Sequence, residues 1–106
     1  MKKDNCIVLK NLKLNNLCFL RFMSLNQLIE IDVSSNKLQS IDFLNQFTNL
    51  EKIIAKNNNI QRVNLWTYKL TELDLEGNLL KIFPMFENLQ KLRILNLKFN
   101  RLKLIK

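Results

Sequence analysis

The chain has 106 residues, 47% of them hydrophobic and 25% charged, and a formal net charge of +8. That composition is too apolar for intrinsic disorder and fits one small domain or a piece of a longer array. A single Gly, a single Pro and no His argue against Gly-rich phosphate loops, tight-turn β-sandwiches and every His-based nucleophile, general base or metal site.

In chain order, Met1-Lys2-Lys3-Asp4 is followed by an apolar stretch, Cys6 to Leu9, too short for a secretory signal. No run of 18 apolar residues follows, so no spanning helix is expected. Cys6 and Cys18 are too few and too far apart for a disulfide framework or a zinc site, and the chain reads as intracellular, in the cytoplasm.

One pattern then recurs. Leu9-Lys-Asn-Leu12-Lys-Leu14 opens a first copy and Leu28-Ile-Glu-Ile31-Asp-Val33-Ser-Ser-Asn36-Lys-Leu38 a second. Leu50-Glu-Lys-Ile53-Ile-Ala55-Lys-Asn-Asn58-Asn-Ile60 and Leu70-Thr-Glu-Leu73-Asp-Leu75-Glu-Gly-Asn78-Leu-Leu80 are the third and fourth. Leu92-Arg-Ile-Leu95-Asn-Leu97-Lys-Phe-Asn100-Arg-Leu102 is the fifth. The starts, near residues 9, 28, 50, 70 and 92, lie 19, 22, 20 and 22 residues apart, the self-similarity of a solenoid. Alternation at Ile31/Val33, Leu73/Leu75 and Leu95/Leu97 predicts short strands with one buried face, stacked as a parallel sheet.

After each strand the chain turns inward and leaves backbone N–H and C=O groups in a dry place. An Asn amide both donates and accepts, so Asn36, Asn58, Asn78 and Asn100 are expected to form a ladder that satisfies those groups in adjacent repeats. In the first copy Leu17 stands at the Asn position, as in a degenerate capping repeat. Ile41, Leu44 and Phe47 follow Leu38 at three-residue steps, and Phe83, Phe86 and Leu89 follow Leu80 likewise, completing a 22-residue pattern in two repeats. In the shorter third repeat either Leu65 or Trp66 fills the core.

The pattern L-x-x-L-x-L-x-x-N-x-L, met four times in full, resembles the leucine-rich repeat family over almost the whole chain. The 22-residue repeats are similar to the class typified by the protein-phosphatase-1 regulatory repeat protein, and internalin-like bacterial surface proteins share a similar consensus. The resemblance implies an α/β solenoid, a right-handed superhelical horseshoe segment of about five repeats. It would have a parallel concave sheet and short helical, 3-10 or irregular convex segments. Residues 1–106 then form a single repeat domain, a fragment or uncapped after Ile105 and Lys106, with Leu92, Leu95, Leu97 and Leu102 as a last core layer open to self-association. The resemblance also implies a protein-binding scaffold. The other reading is an architectural segment of a larger protein with no partner contact of its own.

Solvent-facing strand positions are the third, fifth and seventh of each repeat. They read Asn11, Lys13, Asn15; Glu30, Asp32, Ser34; Lys52, Ile54, Lys56; Glu72, Asp74, Glu76; and Ile94, Asn96, Lys98. Charge sign alternates from strand to strand, which sets Lys52 between Glu30 and Glu72 and Lys56 beside Glu76. Apolar Ile54 and Ile94 on this face, and exposed Phe99, favour a protein partner centred on the sheet. Glu72, Asp74 and Glu76 read as a solvated strand face before a metal or acid–base site, and neither enzyme activity nor a cofactor is expected.

This face is close to neutral, so the positive charge lies elsewhere. Lys37, Arg62, Lys81, Arg101 and Lys103 follow the ladder asparagines along one lateral edge, and Lys2, Lys3 and Lys106 sit at the termini. A basic edge can meet nucleic acid, an anionic surface or an acidic protein. No aromatic residue interleaves with these cations in the sequence. The edge therefore reads first as solubilising, and nucleic acid is disfavoured as a partner.

Overall fold

The computed structural model describes residues 5–84 and 86–103. Five short strands, β1 (Cys6–Val8), β2 (Glu30–Asp32), β3 (Lys52–Ile54), β4 (Glu72–Asp74) and β5 (Ile94–Asn96), form one parallel sheet in sequence order. Each strand has its central residue inward: Ile31, Ile53 and Leu73 are fully buried, and Ile7 and Leu95 pack on the same core. The returns are irregular apart from two 3-10 turns, Cys18–Phe22 and Asp42–Gln46. Among the described residues no helix is long and apolar enough to cross a membrane. The terminal cations Lys2, Lys3 and Lys106 lie outside the described residues.

The strand register corrects the first repeat. Cys6, Ile7 and Val8 pair with Glu30, Ile31 and Asp32, so this repeat begins about five residues before Leu9, and paired positions along the stack are 24, 22, 20 and 22 residues apart. Ile7, Leu9 and Leu14 then match Leu73, Leu75 and Leu80, and Leu12, not Leu17, occupies the asparagine position. Leu17 is buried in the return segment instead. Asn11 and Lys13 belong to the turn after β1, both with positive φ, and are not sheet positions.

The four asparagines hold the stack together, and every bond to a neighbour runs backwards. Asn36 Oδ1 accepts from the N–H groups of Leu12 and Leu14, both at 3.0 Å, while its Nδ2 donates to the Leu9 carbonyl at 2.8 Å and to Val33 in its own repeat at 2.9 Å. Asn58 accepts from Leu38 N–H and donates to the carbonyls of Val33, Ala55 and Lys56. Asn78 does the same with Ile60, Ala55 and Leu75, and Asn100 with Leu80, Leu75 and Leu97. In the first described repeat Leu12 stands at this position, and its N–H donates to Asn36 Oδ1. Before each ladder residue the backbone turns through the left-handed region at Ser35, Asn57, Gly77 and Phe99. Gly77 takes this left-handed φ without the strain that a Cβ brings at the other three positions.

Two core assignments follow from the third and fourth returns. Leu65 is 3% exposed and Trp66 54%, so Leu65 fills the core of the third repeat. That repeat is the shortest and has no 3-10 turn. Its backbone polar groups are taken by the repeat before it: Asp42 Oδ1 accepts from Asn64 N–H, Asn45 Nδ2 donates to the Asn64 carbonyl, and Asn45 Oδ1 accepts from Trp66 N–H. In the fourth repeat Phe83, one three-residue step after Leu80, is 61% exposed, whereas Ile41 at the same step after Leu38 is buried. Pro84 is the buried residue there, and its fixed φ turns the chain so that Phe83 faces outward.

Asn58→Ala is expected to destabilise the fold by about 1–3 kcal/mol, because it leaves buried backbone groups on two repeats unpaired. Exposed Asn59→Ala should cost far less; equal shifts of the urea midpoint would contradict the ladder. Thr67 sits where the other repeats carry Leu25, Phe47 and Leu89, and its Oγ1 is buried without a hydrogen-bond partner. Thr67→Val removes that hydroxyl at nearly constant shape. It should raise stability by about 1 kcal/mol in the same measurement.

Candidate functional site

The concave sheet face is built from three rows that the strand register defines. One row runs Cys6, Glu30, Lys52, Glu72, Ile94, and the next Val8, Asp32, Ile54, Asp74, Asn96. The third, Lys10, Ser34, Lys56, Glu76, Lys98, is held in step by backbone bonds such as Ser35 N–H to the Lys56 carbonyl and Asn57 N–H to the Glu76 carbonyl. The first strand's contribution is therefore Cys6, Val8 and Lys10, in place of Asn11, Lys13 and Asn15. The Ile7/Leu9/Leu14 spacing carries that signal in the sequence.

The middle row shows why acids crowd this face. Asp32 Oδ1 accepts from Ser34 N–H, Asp74 Oδ1 from Glu76 N–H and Asn96 Oδ1 from Lys98 N–H. In each, the fifth position of the repeat closes a local turn on the N–H two residues on. Ile54 has no such acceptor. Lys56 N–H instead donates to the Ser34 hydroxyl of the preceding repeat at 3.1 Å. The half-buried Ile54 thus occupies a place where β2, β4 and β5 use Asp or Asn and β1 carries Val8.

Ion pairs cross from β3 to β4. Lys52 Nζ lies 3.6 Å from Glu72 Oε2, and Lys56 Nζ 3.6 Å from Asp74 Oδ2. Lys56 lies beside Glu76 in the register, as expected, but its ion pair is with Asp74. Glu76 Oε1 accepts from Asn96 Nδ2 at 2.9 Å, on its far side, and the Lys56 stem leans to Asp74. Partly exposed pairs of this kind contribute about 0–1 kcal/mol each. Glu72, Asp74 and Glu76 are all engaged by neighbouring strands, and among the described residues no group of His, Cys, Asp and Glu is arranged to hold a metal ion.

On the other side of Ile54 the two acids of β2 form no ion pair among the described residues, though Lys52 lies beside Glu30 in the register. Glu30 Oε2 accepts the Cys6 thiol at 3.6 Å, and Asp32 Oδ1 its own turn N–H. Val8 beside them is 60% exposed, and Ile94 on β5 is 56% exposed. The face therefore offers Asp32 between two apolar residues, Val8 and Ile54, with Glu30 between Cys6 and Lys52 and ion pairs beyond.

Ser34→Ala is expected to cost about 1 kcal/mol, because Lys56 N–H loses its acceptor. Adding Ile54→Asp, which restores the local turn, should recover most of that loss. A double-mutant cycle in urea with no coupling would contradict the arrangement.

No family model matches the chain. It is 38% identical over 88 residues to Transforming growth factor beta activator LRRC33 of Danio rerio, a match covering 74% of this chain and 13% of that protein. One chain of the Drosophila melanogaster SNF/U2A′ complex crystal structure superposes with a TM-score of 0.77 at 26% identity. The match covers 92% of this chain and 59% of that one. The chain spans less than two thirds of either relative. With the repeat, the asparagine ladder and the parallel sheet already established, the chain belongs to the leucine-rich repeat family.

Proposed function

We propose that this chain is a non-enzymatic scaffold whose concave sheet face binds a protein partner, centred on Ile54. The carrying observation is that Ile54 lies on the middle strand, at a position where β2, β4 and β5 use an Asx turn, and the Ser34 hydroxyl makes good the missing bond. An apolar side chain there contributes little to the core and much to a docked surface. Desolvated apolar anchors supply binding energy, while surrounding charges set register and exclude wrong partners.

The surround has a definite polarity. Glu30 and Asp32 on β2 would receive a basic residue of the partner, while Lys52, Lys56, Glu72, Asp74 and Glu76 present a nearly balanced mosaic on β3 and β4. Ile94 and Lys98 extend the surface to the edge strand. That the structural neighbour comes from a complex, as its name states, supports a protein as the partner class. An intracellular setting belongs to the same proposal.

Affinity capture with the intact chain supplies the partner, and point variants then test the face. Ile54→Lys should leave the urea midpoint close to that of the wild type, since the side chain points away from the core. Its affinity should fall at least tenfold, equivalent to about 1.4 kcal/mol. A partner that binds Ile54→Lys and Asp32→Lys as well as wild type would remove the concave-face reading and turn attention to exposed Trp66 and Tyr68.

A further inference from the structure

We infer that the lateral edge carrying Lys37, Arg62, Lys81 and Arg101 binds single-stranded nucleic acid, with phosphates along the cations and a base on Phe83. This surface is separate from the concave face and does not depend on the protein-binding reading.

The edge is acid-free where it is most basic. Residues 13–16, 37–40, 59–62, 79–82 and 101–103, the turn-side segments of the five repeats, contain six Lys or Arg and no Asp or Glu. None of the six is ion-paired among the described residues, whereas Lys52 and Lys56 on the concave face both are. Backbone bonds from Lys37, Asn59, Leu79 and Arg101 N–H to the carbonyls of Leu14, Leu38, Ile60 and Leu80 keep these segments in step. Five such segments at about 4.8 Å per strand span about 20 Å. That is a suitable length for a strand of about four nucleotides, near the lower end of single-strand site sizes.

The structure also supplies the aromatic platform that the sequence pattern withholds. In sequence, Phe83 falls one three-residue step after Leu80; in the fold it is turned outward by Pro84 and lines the same groove as Arg62, about 540 Å³ in volume. Phe86 is half-buried and meets Phe83 edge-on, with ring centroids 6.2 Å apart, which fixes the exposed ring. A second aromatic, Phe99, is 79% exposed two residues before Arg101. It holds φ +58°, a conformation unfavourable for a bulky residue. Cations that track a backbone next to exposed rings that can stack bases are the combination that single-strand binding uses.

Two carboxylates, Asp42 and Glu87, line the convex side of the groove, where they would repel phosphates. Asp42 already accepts from Asn64 N–H. The phosphates are thereby confined to the Arg62 side, and the base edges meet the groove, where carboxylates can accept from exocyclic amines. A membrane surface fits less well, because the same acids would face the anionic headgroups.

Anisotropy of a labelled 12-nucleotide oligocytidine RNA, titrated with the intact chain at several salt concentrations, tests the inference. Three variants are compared with wild type: Lys37→Gln/Arg62→Gln/Lys81→Gln/Arg101→Gln, the charge-matched Arg21→Gln/Lys69→Gln/Lys91→Gln/Arg93→Gln, and Phe83→Ala. The edge variant should lose at least tenfold in affinity, and its log–log salt slope should shrink by about 3, from about 0.7 per phosphate contact on a single strand. The charge-matched variant should stay within threefold of wild type, and Phe83→Ala should lose at least fivefold with the salt slope unchanged. Equal losses in both quadruple variants would show diffuse charge attraction and overturn the site. An unaffected Phe83→Ala would overturn the single-strand assignment. Tighter binding to phosphatidylserine vesicles than to RNA, lost in the same edge variant, would overturn nucleic acid as the ligand.

Discussion

A solenoid turns its backbone inward once per repeat, and the polar groups left at that turn must be satisfied without water. Here one amide per repeat does it. Asn58 serves the carbonyl of Val33 in the repeat before and those of Ala55 and Lys56 in its own, and it accepts from Leu38 N–H across the boundary. The unpaired alternative costs about 1–3 kcal/mol per group, a sizeable part of the stability of a small domain. Because each amide reaches back to the preceding repeat, stability is a property of boundaries more than of repeats. The gradient in burial follows: Leu50, Leu70 and Leu73 have repeats on both sides and are fully buried, while Leu92, Leu95 and Leu97 on the last described boundary are only half-buried.

The ladder also frees the concave face to vary, but not entirely. Asp32, Asp74 and Asn96 close Asx turns, so their oxygen-bearing side chains have a local structural reason to be there. Acid content on this face is therefore weak evidence of a partner. Departures from the local rule say more. Ile54 forgoes the turn, and the Ser34 hydroxyl compensates, so two positions in adjacent repeats are coupled around one apolar surface residue.

The repeats were legible where one constraint recurs unchanged. Ile31/Val33/Asn36/Leu38 and its three later copies repeat a fixed geometry, and the sheet order and inward residues follow from it. The first repeat reads late in the sequence because its clearest mark is erased: Leu12 replaces the amide, and the Leu9 spacing imitates a repeat start. The exposure of Phe83 was not legible because a three-residue apolar step cannot register the turn that Pro84 forces. The choice between Leu65 and Trp66 was open because both are apolar and adjacent. Asn45 left no trace at all: its partners, Asn64 and Trp66, lie a repeat away, and no local spacing marks a side chain that mends its neighbour's backbone. Of the concave face, the residues of β2 to β5 could be read in advance, whereas the Lys56–Asp74 pairing depends on how a lysine stem leans and could not.

Stacking repeats makes charge placement costly in a way that distinguishes the two exposed surfaces. Side chains at one repeat position recur about every 4.8 Å, and like unit charges about 4 Å apart repel by about 1 kcal/mol even in water. On the concave face the signs alternate: Lys52 meets Glu72 and Lys56 meets Asp74, so the stacking distance is turned into weak attraction. The turn-side edge has no such solution. Lys37, Arg62, Lys81 and Arg101 are staggered along it with Asn59, Gln61 and Leu79 between, which lengthens the separations but leaves the sign uniform. Within the fold that repulsion has no counterpart, and substituting one carboxylate would relieve it. An anionic strand laid along the edge would relieve it as well, since each phosphate lowers the repulsion between the cations it bridges while gaining its own contacts.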